Sequence, residues 1–234
     1  MTEQRFDRIN ALAQLNSAQK YLEIGVFKGT NFKFVEVLCK VGVDPKFLFD
    51  TSAQAGANVT FYEVTSDYFF AKLAAHFGKF DLIYLDGLHT FEQTFRDFCA
   101  SLAYAHERTL WLIDDTGPVN WFSSFRNRKL AGRLRRVLRA RNHAWMGDVY
   151  KTVFAIHDFF PQYSYATFDE RNQTVVWLEP RPDFAPTWNS LAAISHISFR
   201  GFQKYKVSHL AVMPPVDLLA RVECALNKGQ RERV

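Results

Sequence analysis

The chain has only three cysteines in 234 residues, Cys39, Cys99 and Cys224. Their odd number, wide spacing and lack of a C-x-x-C pair leave no disulfide framework and point to a reducing, cytoplasmic setting. Long apolar runs are missing too, so no stretch is suited to cross a bilayer. From Met1 to Ser17, Phe6, Ile9, Leu12 and Leu15 recur at a helical period among polar residues, without the continuous apolar core of a secretion signal. Internal repeats and low-complexity tracts are absent. With 48% hydrophobic residues, the length suffices for one sizeable domain with its own core.

The most informative segment runs from Lys20 to Asn31. Tyr21, Leu22, Ile24 and Val26 suit a buried strand, Gly25 and Gly29 allow close backbone approach to a ligand, and Phe32, Val35 and Leu38 then repeat at helical spacing. A strand turning through two glycines into a helix is built to hold a nucleotide-like ligand, and Thr30 completes the loop expected to touch it. The dinucleotide fingerprint G-x-G-x-x-G is not met, because Phe27 fills its middle glycine position. Glu23, near the end of a buried strand, needs a backbone amide or a ligand hydroxyl or amine to satisfy it.

Further strands follow. Val41 to Pro45 ends in Asp44, placed where a second strand presents a carboxylate to ribose hydroxyls; alternatively Asp44 starts a turn before Pro45. Val59 to Val64 is a third strand, followed by a helix near Tyr68 capped by Ser66 or Asp67. Phe80 to Leu85 leads into Asp86-Gly87-Leu88-His89, with Phe95, Phe98 and Leu102 marking the next helix. Thr109 to Ile113 leads into Asp114-Asp115. Ligands of parallel α/β sheets sit beyond the carboxyl ends of the strands, so Asp44, Asp86, Asp114 and Asp115 should border one crevice. Carboxylates so crowded require a cation or a ligand amine. Mg²⁺ on Asp86, Asp114 and Asp115 would supply it, although Asp115 alone could instead cap the following turn.

With these segments in order, the chain resembles the class I S-adenosylmethionine-dependent methyltransferases, in particular the small metal-assisted O-methyltransferase-like branch. The likeness rests on Glu23 to Gly29, Gly42 to Pro45, Ser66 to Phe70, Leu85 to Glu92, Ile113 to Thr116 and Trp145 to Lys151, and spans about residues 18 to 180. It implies a Rossmann-like, doubly wound, mostly parallel sheet closed by an antiparallel hairpin. It places Gly25 and Gly29 beside the methionine part of S-adenosylmethionine, Glu23 near its amino group, Asp44 on the ribose and Ser66 or Asp67 beside the adenine. It further implies Mg²⁺ on Asp86, Asp114 and Asp115, with His89 as general base or substrate-orienting group. Phe91 stands where a tyrosine is frequent in the family. The chain between Asp44 and Asn58 carries little helical signal, so the second crossover helix should be short or absent.

The excess positive charge, +5 overall, is concentrated between Phe125 and Arg141, where Arg126, Arg128, Lys129, Arg133, Arg135, Arg136, Arg139 and Arg141 alternate with Leu130, Leu134, Val137 and Leu138. This is a basic amphipathic helix within a cap of about residues 120–145. It is either a solvated face or a lid over an anionic small-molecule acceptor or an acidic membrane surface. Nucleic acid fits less well, since no aromatic residues interleave with the arginines. Asp148 is expected to touch the acceptor or the basic helix, or to cap a buried helix. Val149 to Phe160 reads as a helix, and Tyr163 to Phe168 with Thr174 to Glu179 as a hairpin. Residues 1–180 then form the cofactor-binding domain, and residues 181–234 an extension that packs on it or on a second copy, with a final helix from about Val216 to Asn227 ended by Gly229. The expected activity is methylation of a hydroxyl on a sugar, glycan precursor or secondary metabolite. An NAD-dependent oxidoreductase and a non-catalytic binding protein of the same fold are the alternatives.

Overall fold

A computed structural model describes residues 4–139, 145–170 and 172–231. Eight strands form one sheet in the order β3-β2-β1-β4-β5-β7-β6-β8. Strands β1 (Lys20–Ile24), β2 (Cys39–Asp44), β3 (Val59–Glu63), β4 (Phe80–Leu85) and β5 (Ala105–Ile113) pair in parallel. The antiparallel hairpin β6 (Tyr163–Phe168) and β7 (Thr174–Leu178) joins β5 through β7. This is the class I methyltransferase fold. A short strand β8 (Val212–Met213) adds beside β6, a pairing two residues long that sequence periodicity does not reveal.

Alternation along the strands sends side chains to two cores. Leu22, Ile24, Ile83, Leu85, Trp111 and Ile113 face one side, with Phe98 of helix α3 (Phe91–Ser101) and Phe154 of helix α5 (Tyr150–Phe159). Tyr21, Leu82, Tyr84, Leu110 and Leu112 face the other, with Ile9 and Leu12 of helix α1 (Arg5–Asn16) and Leu218 and Val222 of helix α8 (Pro215–Arg231). The segment after Pro180 therefore completes a layer of this domain: β8 extends the sheet and α8 packs on α1.

Several local expectations are corrected. No helix follows the glycine loop; a 3₁₀ turn over Phe32–Phe34 takes its place. Asn10 of α1 donates to the Phe34 carbonyl and accepts from the Glu36 amide, and Lys40 Nζ donates to the carbonyls of Phe32 and Val35, so these backbone groups are satisfied outside a helix. Phe32 and Val35 are still buried, whereas Leu38 is exposed. Thr65, rather than Ser66 or Asp67, caps the short helix α2 (Ser66–Tyr68), its hydroxyl accepting from the Tyr68 amide. The basic helix α4 spans Arg128–Val137; Arg141 lies outside the described residues. Helices α6 (Leu191–Ser195) and α7 (Phe199–His209) precede α8, which continues past Gly229 to Arg231. No helix among the described residues is long and apolar enough to cross a membrane.

Candidate functional site

Strand order reverses between β1 and β4, and beyond the carboxyl ends of these strands and of β2 lies a cavity of about 920 Å³. Gly25, at φ +95°, forms its floor. A Cβ built there would stand 2.0 Å from the carbonyl oxygen of Asp86, so the first loop and the end of β4 pack backbone to backbone. Asp44 fixes the rest of the loop. Its Oδ2 accepts from the Phe27 amide and its Oδ1 from the Lys46 amide, each at 2.8 Å. Phe27 adopts φ 48° and its side chain is 47% exposed, which accounts for a bulky residue in a glycine position. Thr30, Asp44, Ser66 and Asp67 all border the cavity, joined by Gln93 and Asp97, which the sequence did not single out. Gln93 links them, donating to Ser66, Asp67 and Asp97. Burial pushes the Asp97 carboxyl up to about 6 against the hydrogen bonds from Ser66 and Gln93.

Glu23 is placed differently from expectation. It is 1% exposed and does not line the cavity; Tyr21 Oη donates to its Oε2 at 2.6 Å. Residues two apart on a strand share a face, so Tyr21 is positioned to satisfy the carboxyl from within the protein. Burial, opposed by that hydrogen bond and by Lys40, raises the Glu23 carboxyl to about 8. The folded chain therefore holds a proton there that the unfolded chain, at about 4.5, releases. Stability from this group is lost as pH rises from about 4.5 to about 8. Glu23→Gln keeps an acceptor for Tyr21 and removes the titration. It should raise stability at pH 9 relative to the unmodified chain, by an amount that shrinks toward pH 5. Urea unfolding at the two pH values measures this; a variant less stable at both would show that the carboxylate is needed.

The strand-end acids divide. Among the described residues, the donor atoms that converge within 4.8 Å of one another belong to Asp86, His89 and Asp115. Asp114 is not among them: it is 1% exposed, and its Oδ2 accepts from Tyr84 Oη at 2.8 Å. Asp114 continues the strand inward, while Asp115, at φ 59°, turns toward His89 and borders the cavity. His89, at φ 54°, sets Nδ1 2.5 Å from Asp115 Oδ2 and Nε2 3.8 Å from Asp86 Oδ1. A hydrogen bond from Nδ1–H to Asp115 fixes the tautomer in which Nε2 carries a free lone pair. The indole of Trp145 packs on the imidazole with centroids 4.8 Å apart. Gly147, at φ +62°, lies against the His89 backbone so closely that a Cβ would fall 1.8 Å from its carbonyl oxygen. Asp148 is buried, accepting from the Phe91 amide and from Lys151 Nζ at 2.9 Å, and so anchors the start of α3.

Sequence periodicity missed the cation of this cluster. The guanidinium of Arg5 lies 3.0 Å from Asp114 Oδ2, 3.6 Å from Asp86 Oδ2 and 3.8 Å from Asp115 Oδ1. Burial and mutual repulsion with Asp114 and Asp115 push the Asp86 carboxyl well above the ordinary range, and Arg5 works against that rise. The crowding of acids in the sequence signals that a cation is needed, but only the docking of α1 shows which one answers.

The basic helix closes the opposite wall. Arg128, Ala131, Gly132 and Arg135, spaced to share one helix face, line the cavity with Phe122 and Trp145. Arg126 turns away into a bidentate pair with Glu92.

Residues 22–116 match a family model described as a methyltransferase domain. Among solved structures, the chain is similar to a candidate caffeoyl-CoA O-methyltransferase from Staphylococcus aureus, at 13% identity, covering 76% of this chain and 85% of that one, with a TM-score of 0.52. It is also similar to an O-methyltransferase from Bacillus cereus in complex with SAH, at 14% identity, 74% and 80% coverage and a TM-score of 0.50. A SAH-bound methyltransferase from Podospora anserina, PaMTH1, gives 13% identity, 76% and 80% coverage and a TM-score of 0.50. At these identities the likeness to the solved structures is one of fold. A search among curated proteins finds no match.

Proposed function

We propose that the chain, which carries a methyltransferase domain at residues 22–116 on a class I fold, is an S-adenosylmethionine-dependent methyltransferase that methylates a hydroxyl oxygen of a small anionic acceptor. A sugar, glycan precursor or secondary metabolite bearing a carboxylate or phosphate is the expected class. The observation that carries this reading is the pairing of His89 with Asp115 on the wall of a cavity whose facing helix presents Arg128 and Arg135.

In this reading Gly25, Gly29 and Thr30 hold the methionine end of the cofactor, Asp44 the ribose, and Ser66 and Asp67 the adenine. All but Gly29 line the cavity, and Gly29 shapes the turn that carries Lys28 and Thr30. Asp86, at the end of β4 beneath Gly25, separates the cofactor half from the acceptor half. Transfer of a methyl group from a sulfonium is an in-line displacement, so the protein mainly aligns the acceptor oxygen and removes its proton. His89 Nε2 accepts that proton and Asp115 stabilises the imidazolium formed, while Trp145 and Gly147 hold the ring in place. Alternatively, with His89 Nε2 as a ligand and not a base, Asp86, His89 and Asp115 have the chemistry to hold a divalent ion such as Mg²⁺, which would lower the pKa of a bound hydroxyl. Within the basic cap of about residues 120–145, helix α4 covers the acceptor half, and β8 and α8 of the C-terminal extension buttress the domain.

The test is transfer of labelled methyl from S-adenosylmethionine to matched hydroxyl compounds with and without an acidic group. Charged acceptors should be preferred. The double variant Arg128→Ala/Arg135→Ala should raise KM for the charged acceptor by about tenfold or more, with kcat within a few-fold, since each charge-assisted hydrogen bond contributes about 1.5–3 kcal/mol. Equal use of charged and neutral acceptors by the unmodified enzyme would refute an anionic substrate.

A further inference from the structure

The acidic cluster and Arg5 together carry an inference that goes beyond the proposed reaction and holds for any acceptor. Three carboxylates, Asp86, Asp114 and Asp115, converge on one guanidinium, and two of them belong to the only donor set among the described residues that could gather a metal ion. Buried like charges at this spacing need a counter-charge. Arg5 supplies it from the first residue of α1, a helix outside the methyltransferase-domain match.

The rest of α1 is fastened down. Arg8 is buried, donating to the Glu170 carbonyl at 2.7 Å and stacking over the Phe168 ring at 4.6 Å. Asn10 bridges Phe34 and Glu36, and Asn16 Nδ2 donates to the carbonyls of Asp81 and Arg108. The Arg5 side chain differs in being 41% exposed. It is thus presented by a fixed helix but free on one side to leave. A second chain of contacts holds its strongest partner in place: Gln173 Nε2 lies 3.4 Å from Tyr84 Oη, which donates to Asp114.

We infer that Arg5 is a resident counter-cation that competes with divalent metal ions for the Asp86–His89–Asp115 site. Arg5 faces Asp86 Oδ2 and Asp115 Oδ1 while His89 faces Asp86 Oδ1 and Asp115 Oδ2, so a metal ion on this donor set would share both carboxylates with the guanidinium and set a dication against it. Metal therefore binds only as Arg5 swings out, and the intact chain holds metal weakly. The arginine makes the site cation-filled from within the chain.

The experiment titrates Mn²⁺ into the purified full-length chain and follows free Mn²⁺ by its electron paramagnetic resonance signal, with no acceptor or turnover involved. Arg5→Gln should bind one Mn²⁺ per chain more tightly than the unmodified protein, by on the order of tenfold or more. Arg5→Lys, which keeps the charge, should remain closer to the unmodified protein. Arg5→Gln/Asp115→Asn should lose the gained ion, which places it at this site. Equal Mn²⁺ affinity in the unmodified chain and Arg5→Gln would overturn the inference, whether both bind or neither does. Far-ultraviolet circular dichroism confirms that each variant is folded. Because the readout is ion binding, its failure is separable from failure of the methyl-transfer reading, which is judged by product formation.

Discussion

Replacing His89 by alanine should lower kcat by about 10²- to 10⁴-fold, the range that a positioned general base contributes, while S-adenosylmethionine affinity changes by no more than a few-fold. The imidazole sits in the acceptor half, with Nδ1 on Asp115 and its face on Trp145, and the backbone loops that border the cofactor half do not depend on its ring. Asp115→Asn provides the finer test. An asparagine can offer either its carbonyl or its amide to Nδ1, and the amide would force the tautomer that places the proton on Nε2, where the base must be unprotonated. A large loss in Asp115→Asn with unchanged cofactor binding identifies the pair as the proton acceptor. Full activity in His89→Ala would remove the imidazole from the reaction and leave alignment alone as the source of catalysis.

Where backbone hydrogen bonds and apolar alternation decide structure, the sequence was legible. Five parallel strands, the hairpin and the helix after His89 all follow from runs such as Phe80 to Leu85, and the carboxylates at the strand ends mark the crevice. The failures have a common physical cause. Phe32, Val35 and Leu38 have helical spacing, yet Asn10 and Lys40 capture the backbone groups a helix would use. Asn10 comes from α1, 24 residues before Phe34, and Lys40 acts from the next strand, so the apolar periodicity of the segment carries no trace of either. Asp114 and Asp115 look equivalent as neighbours, but the left-handed backbone at Asp115, φ 59°, sends one inward to Tyr84 and the other to His89. Glu23 illustrates the reverse. Its need for a partner was evident, and Tyr21, two residues away on the same strand face, supplies one from within the chain. Arg5 was unreadable as a site residue because its role exists only once α1 is docked against the sheet.

Gly25→Ala should abolish cofactor binding more completely than any side-chain change in the cavity. Two independent penalties act at this position. The backbone at φ +95° is one that alanine rarely adopts, with a strain of roughly 1–3 kcal/mol. The added methyl would also stand 2.0 Å from the carbonyl oxygen and 2.4 Å from the carbonyl carbon of Asp86. Those atoms belong to backbone and cannot rotate aside. Asp86 is held by its amide donating to the Ile24 carbonyl at 2.9 Å, and Gly25 by its amide donating to the Val43 carbonyl at 2.8 Å. Relief therefore requires the ends of β1 and β4 to part, which disturbs the cofactor loop on one side and the Asp86–His89 turn on the other. Calorimetric titration with S-adenosylmethionine should show affinity reduced by about a hundredfold or more, as expected when roughly 3 kcal/mol of strain must be relieved at the binding loop. Gly147→Ala is the matched control. It drives a methyl to 1.8 Å from the His89 carbonyl in the acceptor half, so it should depress turnover while leaving cofactor affinity within a few-fold. If both variants lost cofactor binding equally, the two halves of the cavity would have to be one mechanical unit, and the division of labour between the glycine loop and the His89 turn would fall.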